Sequence, residues 1–369
     1  MRTLEGELMR HAASDVYPFH MPGHKGRGDE IQRIDITEID GFDNLHDPEE
    51  IILEEMERAA AFYGTKRTYF SVNGSTCALL AAISAAVPRG GTLLMERGCH
   101  MAVYHAAYLR DLHLQYIDYP TPEDEKMRTP DAVVITSPSY EGCVKHVEKW
   151  AAFAHERGIP LIVDEAHGAH FSMHPYFPKS AIHKGADLVI QSVHKTLPAM
   201  TQTALLHLCS DRVDPDRIQR FFDIYETSSP SYVLMASITR CLHMVSDPQS
   251  DLFDRYVDML KDLREKLAHL AHLHLAGGGS CILTSDEELP PFKAGTRVDP
   301  GKIVITTTGS ALTGPELYDR LREEYHLQPE MKAPDSCLMM TSPFDTQEGF
   351  DRLLEALREI DRDGGLLDI

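Results

Sequence analysis

The stretch Asp187-Leu188-Val189-Ile190-Gln191-Ser192-Val193-His194-Lys195-Thr196-Leu197-Pro198-Ala199-Met200-Thr201-Gln202-Thr203-Ala204 opens as a short apolar run and turns abruptly polar at Ser192, His194 and Lys195. An apolar run of this length reads as a buried β-strand. Lys195 is then on the rim of a sheet, where α/β folds carry their chemistry. Taken alone, a lysine after a strand is more often a solvated side chain than a reactive one. A second run, Ile159-Pro160-Leu161-Ile162-Val163, stops at Asp164-Glu165-Ala166-His167-Gly168. Two strands therefore end in an acid and an amine.

That pair meets the needs of pyridoxal phosphate, which condenses with a lysine amine and requires a carboxylate to keep its pyridine nitrogen protonated. A third strand, Thr68-Tyr69-Phe70-Ser71-Val72, leads into Asn73-Gly74-Ser75-Thr76 and then an alanine-rich helix from Cys77 to Val87. Free N–H groups at a helix start, next to the hydroxyls of Ser75 and Thr76, form a phosphate cradle. The same residue types also serve as plain helix caps.

In these residues the chain resembles the bacterial ornithine/lysine/arginine decarboxylase family of fold-type I pyridoxal-phosphate enzymes. The segments that carry the likeness are Phe19-His20-Met21-Pro22-Gly23-His24-Lys25-Gly26, Asp43-Asn44-Leu45-His46-Asp47-Pro48, Ser71 to Thr76, Val163 to Gly168 and Ser192 to Thr196. Resemblance runs from about Pro18 to Ser237 and is patchy beyond. It implies a three-layer α/β large domain of the transferase-like kind with a seven-stranded, mostly parallel sheet, and a small C-terminal α/β domain. It implies that Lys195 carries the cofactor, that Asp164 faces the ring nitrogen, and that His100 stacks on the ring. His167 is read as supporting either Asp164 or the 3-oxygen side of the ring. Gly74, Ser75, Thr76, Ser192 and His194 are read as phosphate ligands, with proton donation as the alternative for His194. In relatives the hydroxyls of the Thr227 to Tyr232 stretch, Ser229 among them, reach the partner subunit's phosphate, so a homodimer with shared active sites is expected. Met101-Ala102 stands where many relatives have Lys-Ser, which removes a phosphate or lid contact.

Seven strand candidates, 68–72, 92–95, 113–117, 132–136, 160–163, 187–192 and 203–208, alternate with helical segments as a parallel sheet requires. The expected organisation is an arm with active-site entrance loops over 1–46, a cofactor-binding domain over 47–245 and a small domain over 246–369. The small domain comprises a polar helix, the Gly277-Gly278-Gly279 break, and alternating strands and helices. Because relatives usually carry a further C-terminal domain, a short variant without it is expected.

The 369 residues are 43% hydrophobic and 25% charged, ordinary for a globular protein. A net charge of −21 repels nucleic-acid backbones and fits either a solubilising surface or attraction of a cationic amino acid. No run approaches the ~20 apolar residues of a membrane span, and the N-terminal residues lack a signal-peptide core. Seven cysteines without a Cys-x-x-Cys pair suggest reduced thiols, no metal site and a cytoplasmic protein. The expected reaction is decarboxylation of lysine, ornithine or arginine. The alternatives are an aminotransferase, for which Arg297 is the nearest carboxylate clamp, another amino-acid lyase, or a weakly active cofactor-binding paralogue. Asp43 and Glu141 are guesses for the contact to the substrate's distal cation.

Overall fold

The computed structural model describes residues 2–117, 129–276 and 297–363. In chain order the strands are β1 (Arg67–Ser71), β2 (Thr92–Met95), β3 (His113–Tyr116), β4 (Ala132–Thr136), β5 (Cys143–Val144), β6 (Leu161–Asp164), β7 (Leu188–Ser192), β8 (Ala204–Leu208), β9 (His274–Leu275), β10 (Arg297–Val298), β11 (Lys302–Thr306), β12 (Met331–Ala333) and β13 (Ser336–Met340). A seven-stranded sheet has the order β1-β8-β7-β6-β4-β2-β3. Only β8 runs against its neighbours, pairing antiparallel with both β1 and β7. The expected mostly parallel sheet is present.

Alternate residues of each strand enter opposite cores, as the two-residue period of a strand demands. Val133 and Ile135 pack into one apolar cluster with Leu8, Ile52, Trp150 and Met235. Ala132 and Val134 pack into the other with Ala78, Val103 and Phe222. Helices Leu4–Ala12, Ile51–Tyr63, Val147–Glu156 and Tyr232–Ser246 thus cover one face, and Gly74–Ala86, Met101–Leu109 and Pro215–Tyr225 the other. In Gly74–Ala86 the buried Ala78, Ala81, Ala82 and Ala85 let the helix approach the sheet closely.

Two element boundaries differ from expectation for reasons of hydrogen bonding. β1 ends at Ser71, not Val72, because the N–H of Val72 goes to the buried Glu226 carboxylate at 3.1 Å. The helix expected from Pro48 begins at Ile51, and its first turn is held by Asp43, which accepts from the N–H groups of Glu49, Glu50 and Ile52 at 2.9, 2.8 and 2.9 Å. Asp43 thus caps the start of this helix.

The later chain builds an antiparallel sheet of order β12-β13-β11-β9, with helices Leu252–Leu267, Gly314–Glu323 and Gln347–Asp363. β10 returns to the larger sheet's rim, where it pairs with β5, and the Asp299 N–H reaches the Gly142 carbonyl at 2.8 Å. This clasp carries Asp299 and Lys302 towards the ends of β4 and β6. Gly277, Gly278, Gly279 and Cys281 lie outside the described residues, and of Arg297 only the backbone is described. Cys77, Cys99, Cys209, Cys241 and Cys337 are free thiols. Cys143 is disulfide-bonded, which corrects the all-reduced expectation. Among the described residues no helix is long and apolar enough to cross a membrane.

Glu226 takes Ser71 Oγ at 2.9 Å, Val72 N at 3.1 Å and Asn73 N at 3.3 Å. Replacing it with alanine strands these buried donors, so Glu226→Ala should lose about 2–3 kcal/mol of stability in urea unfolding. A loss within error of zero would show the loop to be held by other contacts.

Candidate active site

The last residue of β6, Asp164, is 3% exposed and lies one strand away from β7, paired with Ile190 in register. Its Oδ1 accepts the Ala166 N–H at 3.1 Å, and Oδ2 has no protein donor among the described residues. Burial raises the Asp164 pKa, opposed by that N–H, by Lys195 and by His100. At the end of β7 the chain winds one helical turn, Val193–Thr196, which sets Lys195 half-buried with Nζ 3.1 Å from His167 Nε2. Burial lowers the Lys195 pKa, and the charges of Asp164 and Glu330 work against that shift.

The cradle segment lies at the same rim. Glu226 bends the backbone at Val72 and Asn73, Gly74 turns it with a φ of +74°, and the helix from Gly74 starts without a side-chain cap. Its N–H groups are thereby left for an anion. Ser75 Oγ lies 2.6 Å from Ser192 Oγ, joining the cradle to the end of β7, and Thr76 is exposed beside it. His194 Nδ1 lies 2.8 Å from the Thr203 carbonyl. A carbonyl only accepts, so Nδ1 bears the hydrogen and Nε2 the lone pair. Burial lowers the His194 pKa.

His100 precedes the helix Met101–Leu109, and its Nδ1 accepts the Ala102 N–H at 3.1 Å, which leaves Nε2 on the exposed side of the ring. Its charge is felt by both Asp164 and His167. Gly74, Ser75, Ser192, Asp164, His167, His194, Lys195 and His100 are thus assembled at one end of the sheet. Ser229 makes no described contact with these side chains; it is exposed, and its N–H bonds Thr227 Oγ1 at 3.3 Å.

Two neighbours, Lys302 and Glu330, were not singled out from the sequence. Lys302, 2% exposed, sets Nζ 2.8 Å from His167 Nδ1, so the imidazole lies between two lysines. Burial first, then Lys302, Lys195, His100 and His194, press the His167 pKa down to about 2. The Tyr140 ring lies 4.7 Å from that of His167, and its hydroxyl donates to Glu330. Glu141 accepts from Ser139 Oγ at 2.9 Å. Lys302 opens Lys302-Ile303-Val304-Ile305-Thr306, a strand in which every residue is buried, and the sequence alone does not tell such a lysine from an exposed one. Glu330 has no mark either, because its place depends on the pairing of β12 with β13.

A family model described as Orn/Lys/Arg decarboxylase, major domain, matches residues 3–119 and 109–316. The uncharacterized protein YaaO of Bacillus subtilis is 37% identical over 294 residues, which cover 71% of this chain and 61% of that protein. An arginine decarboxylase of Bacillus subtilis is 28% identical over 380 residues, 96% of this chain and 76% of its own length. The crystal structure of the lysine decarboxylase LdcF of Francisella novicida has a TM-score of 0.81 at 20% identity, a likeness of fold, covering 97% of this chain and 60% of that one. The chain spans about three fifths of the length of YaaO and of LdcF.

A histidine held neutral when folded takes up a proton on unfolding below its ordinary value of 6.5, so acid favours the unfolded state. His207, buried and pressed to about 3, acts in the same direction, whereas Glu165, raised to about 7, acts in the opposite one. Comparison with a single variant isolates one group. Below pH 6.5 the wild type should lose stability relative to His167→Gln by about 1.4 kcal/mol per pH unit in parallel urea titrations. Parallel curves for the two proteins would contradict the neutral assignment.

Proposed function

The chain belongs to the Orn/Lys/Arg decarboxylase family, and from that premise we propose that it decarboxylates a basic amino acid, lysine, ornithine or arginine, with pyridoxal phosphate as cofactor. The observation that carries this reading is the meeting of Lys195, Asp164 and the uncapped helix start at Gly74 on adjoining ends of one sheet.

The residues present fit the cofactor. Gly74, Ser75 and Thr76 offer backbone N–H groups to its phosphate, with the hydroxyls of Ser75 and Ser192 beside them, and His194 Nε2, which bears the lone pair of the neutral ring, would donate to a phosphate oxygen only when protonated. Asp164 is a buried residue whose Oδ2 has no protein donor among the described residues, and that oxygen is suited to a protonated ring nitrogen. When bound, pyridoxal phosphate supplies a sink for the electron pair left at the substrate's α-carbon. Lys195 anchors the cofactor through its amine, and His100 at the rim shields the ring from water. Decarboxylation replaces a carboxylate by a proton, and the groups suited to carry that proton are Lys195 Nζ and His194 Nε2.

A basic substrate is supported by the acidic rim of Glu141 and Glu330, whose charges reach inward to Lys302. The names of the arginine and lysine decarboxylase relatives point to the same substrate class. We further propose a cytoplasmic homodimer in which Ser229 serves the partner's site.

The purified protein should release carbon dioxide and the corresponding amine from one of lysine, ornithine and arginine, followed by mass spectrometry. A keto acid product would replace this reading with transamination. Lys195→Ala should lose the visible absorbance of lysine-bound cofactor and activity by at least about a thousandfold, the scale set by covalent and acid–base catalysis together. Persistence of the band would refute the lysine assignment.

A further inference from the structure

Between Lys195 and β8 the chain makes a tight turn over residues 200–203, closed by the Thr203 N–H on the Met200 carbonyl at 3.3 Å. Gln202, its third residue, has a φ of +85°. That backbone is cheap for glycine and strained for a residue with a Cβ. The turn is held at both ends. Ser237 Oγ accepts the Met200 N–H at 2.8 Å, and the Thr203 carbonyl accepts from His194 Nδ1 at 2.8 Å. Its bend lies against the cradle, because a Cβ built on Gly74 would meet the Gln202 carbonyl at 3.9 Å.

From this strained position the Gln202 side chain crosses to the residue that precedes the cradle. Its Nε2 donates to the Val72 carbonyl at 2.6 Å. A carbonyl only accepts, so the orientation of the amide is fixed. The Val72 carbonyl and the Asn73 N–H belong to one planar peptide unit and point in opposite directions. Glu226 Oε2 accepts that N–H at 3.3 Å, so the unit is gripped at both edges, by a carboxylate on one and an amide on the other. Gln202 itself is exposed, but what it reaches is not: Val72 is 1% exposed, and water has little access to its carbonyl. Rotation of this unit would redirect the N–H groups of Gly74, Ser75 and Thr76 that follow it.

Resting on the function proposed above, we propose that Gln202 is a positioning residue for the cofactor's phosphate: its side chain fixes the Val72–Asn73 peptide unit, and with it the aim of the helix start at Gly74. The strained backbone of Gln202 is kept for this contact. Gln202 acts through the cradle's backbone and not by touching the phosphate. Because the same turn also fixes the His194 ring, the loop after Lys195 shapes the anion site from two directions.

The test compares two probes, pyridoxal phosphate and pyridoxal, on the full-length chain stripped of cofactor. They differ only in the phosphate. Binding is read from the visible absorbance of the lysine-bound aldehyde, and the wild type should hold pyridoxal phosphate the more tightly. Gln202→Gly removes the side chain and relieves the backbone. Its dissociation constant for pyridoxal phosphate should rise about tenfold, the scale of one lost hydrogen bond, while that for pyridoxal stays within about twofold. Gln202→Glu, of equal length but with no donor when ionised, should behave alike, and it decides the matter if the glycine variant does not fold. Unchanged binding of pyridoxal phosphate overturns the proposal. So does an equal loss for both probes, which marks a merely structural residue. A wild type that does not distinguish the probes refutes the cofactor reading itself, and the proposal with it. Because binding needs no turnover, a phosphate-dependent loss in a protein that makes no amine would support the role of Gln202 while refuting the decarboxylase.

Discussion

Asp164 and Lys195 lie where burial disfavours the charge of both, and each returns to the other part of what burial removes. That mutual support requires two neighbouring parallel strands to end at the same level, which the register of β6 against β7 provides. The sheet, its flanking helices and the small antiparallel sheet maintain this alignment. An apolar substitution at either position would leave the other charge buried without its partner, which is the expensive arrangement inside a protein.

Around that pair the chain repeatedly uses a carboxylate to collect backbone N–H groups where regular structure starts or stops. Glu226 collects those before the cradle, and Asp43 those before Ile51–Tyr63. Asp361 takes three consecutive N–H groups of Ala271, His272 and Leu273, each at 2.7 Å. Asp187 takes the Leu161 N–H at 2.7 Å and, on its other side, Ser210 Oγ at 2.5 Å. Buried acids in this protein are therefore structural more often than chemical, so residue type alone could not separate Asp164 from Asp187.

The separation came from position. Apolar runs such as Ala132-Val133-Val134-Ile135 and Leu161-Ile162-Val163 carry the strand signal in themselves, and the residue after each run marks the rim. That made the seven-stranded sheet and the group of Lys195, Asp164, His167, His194 and Ser75 legible before any coordinates. The exact ends were not, because Val72 leaves β1 only through a bond to Glu226, more than a hundred residues away. Lys302 was hidden for a related reason. A buried lysine at the head of a strand resembles an exposed one until the pairing of β5 with β10 shows what it faces.

His167 belongs to the loop after β6 and Lys302 to β11, so the bond between them crosses from the larger sheet to the smaller one. Proton affinity and tertiary docking are thereby one thermodynamic variable seen from two sides. Any ligand that tightens the seam between the sheets makes the imidazole contact more persistent, and acidity that changes the charge of either partner must, by reciprocity, alter how firmly the seam holds.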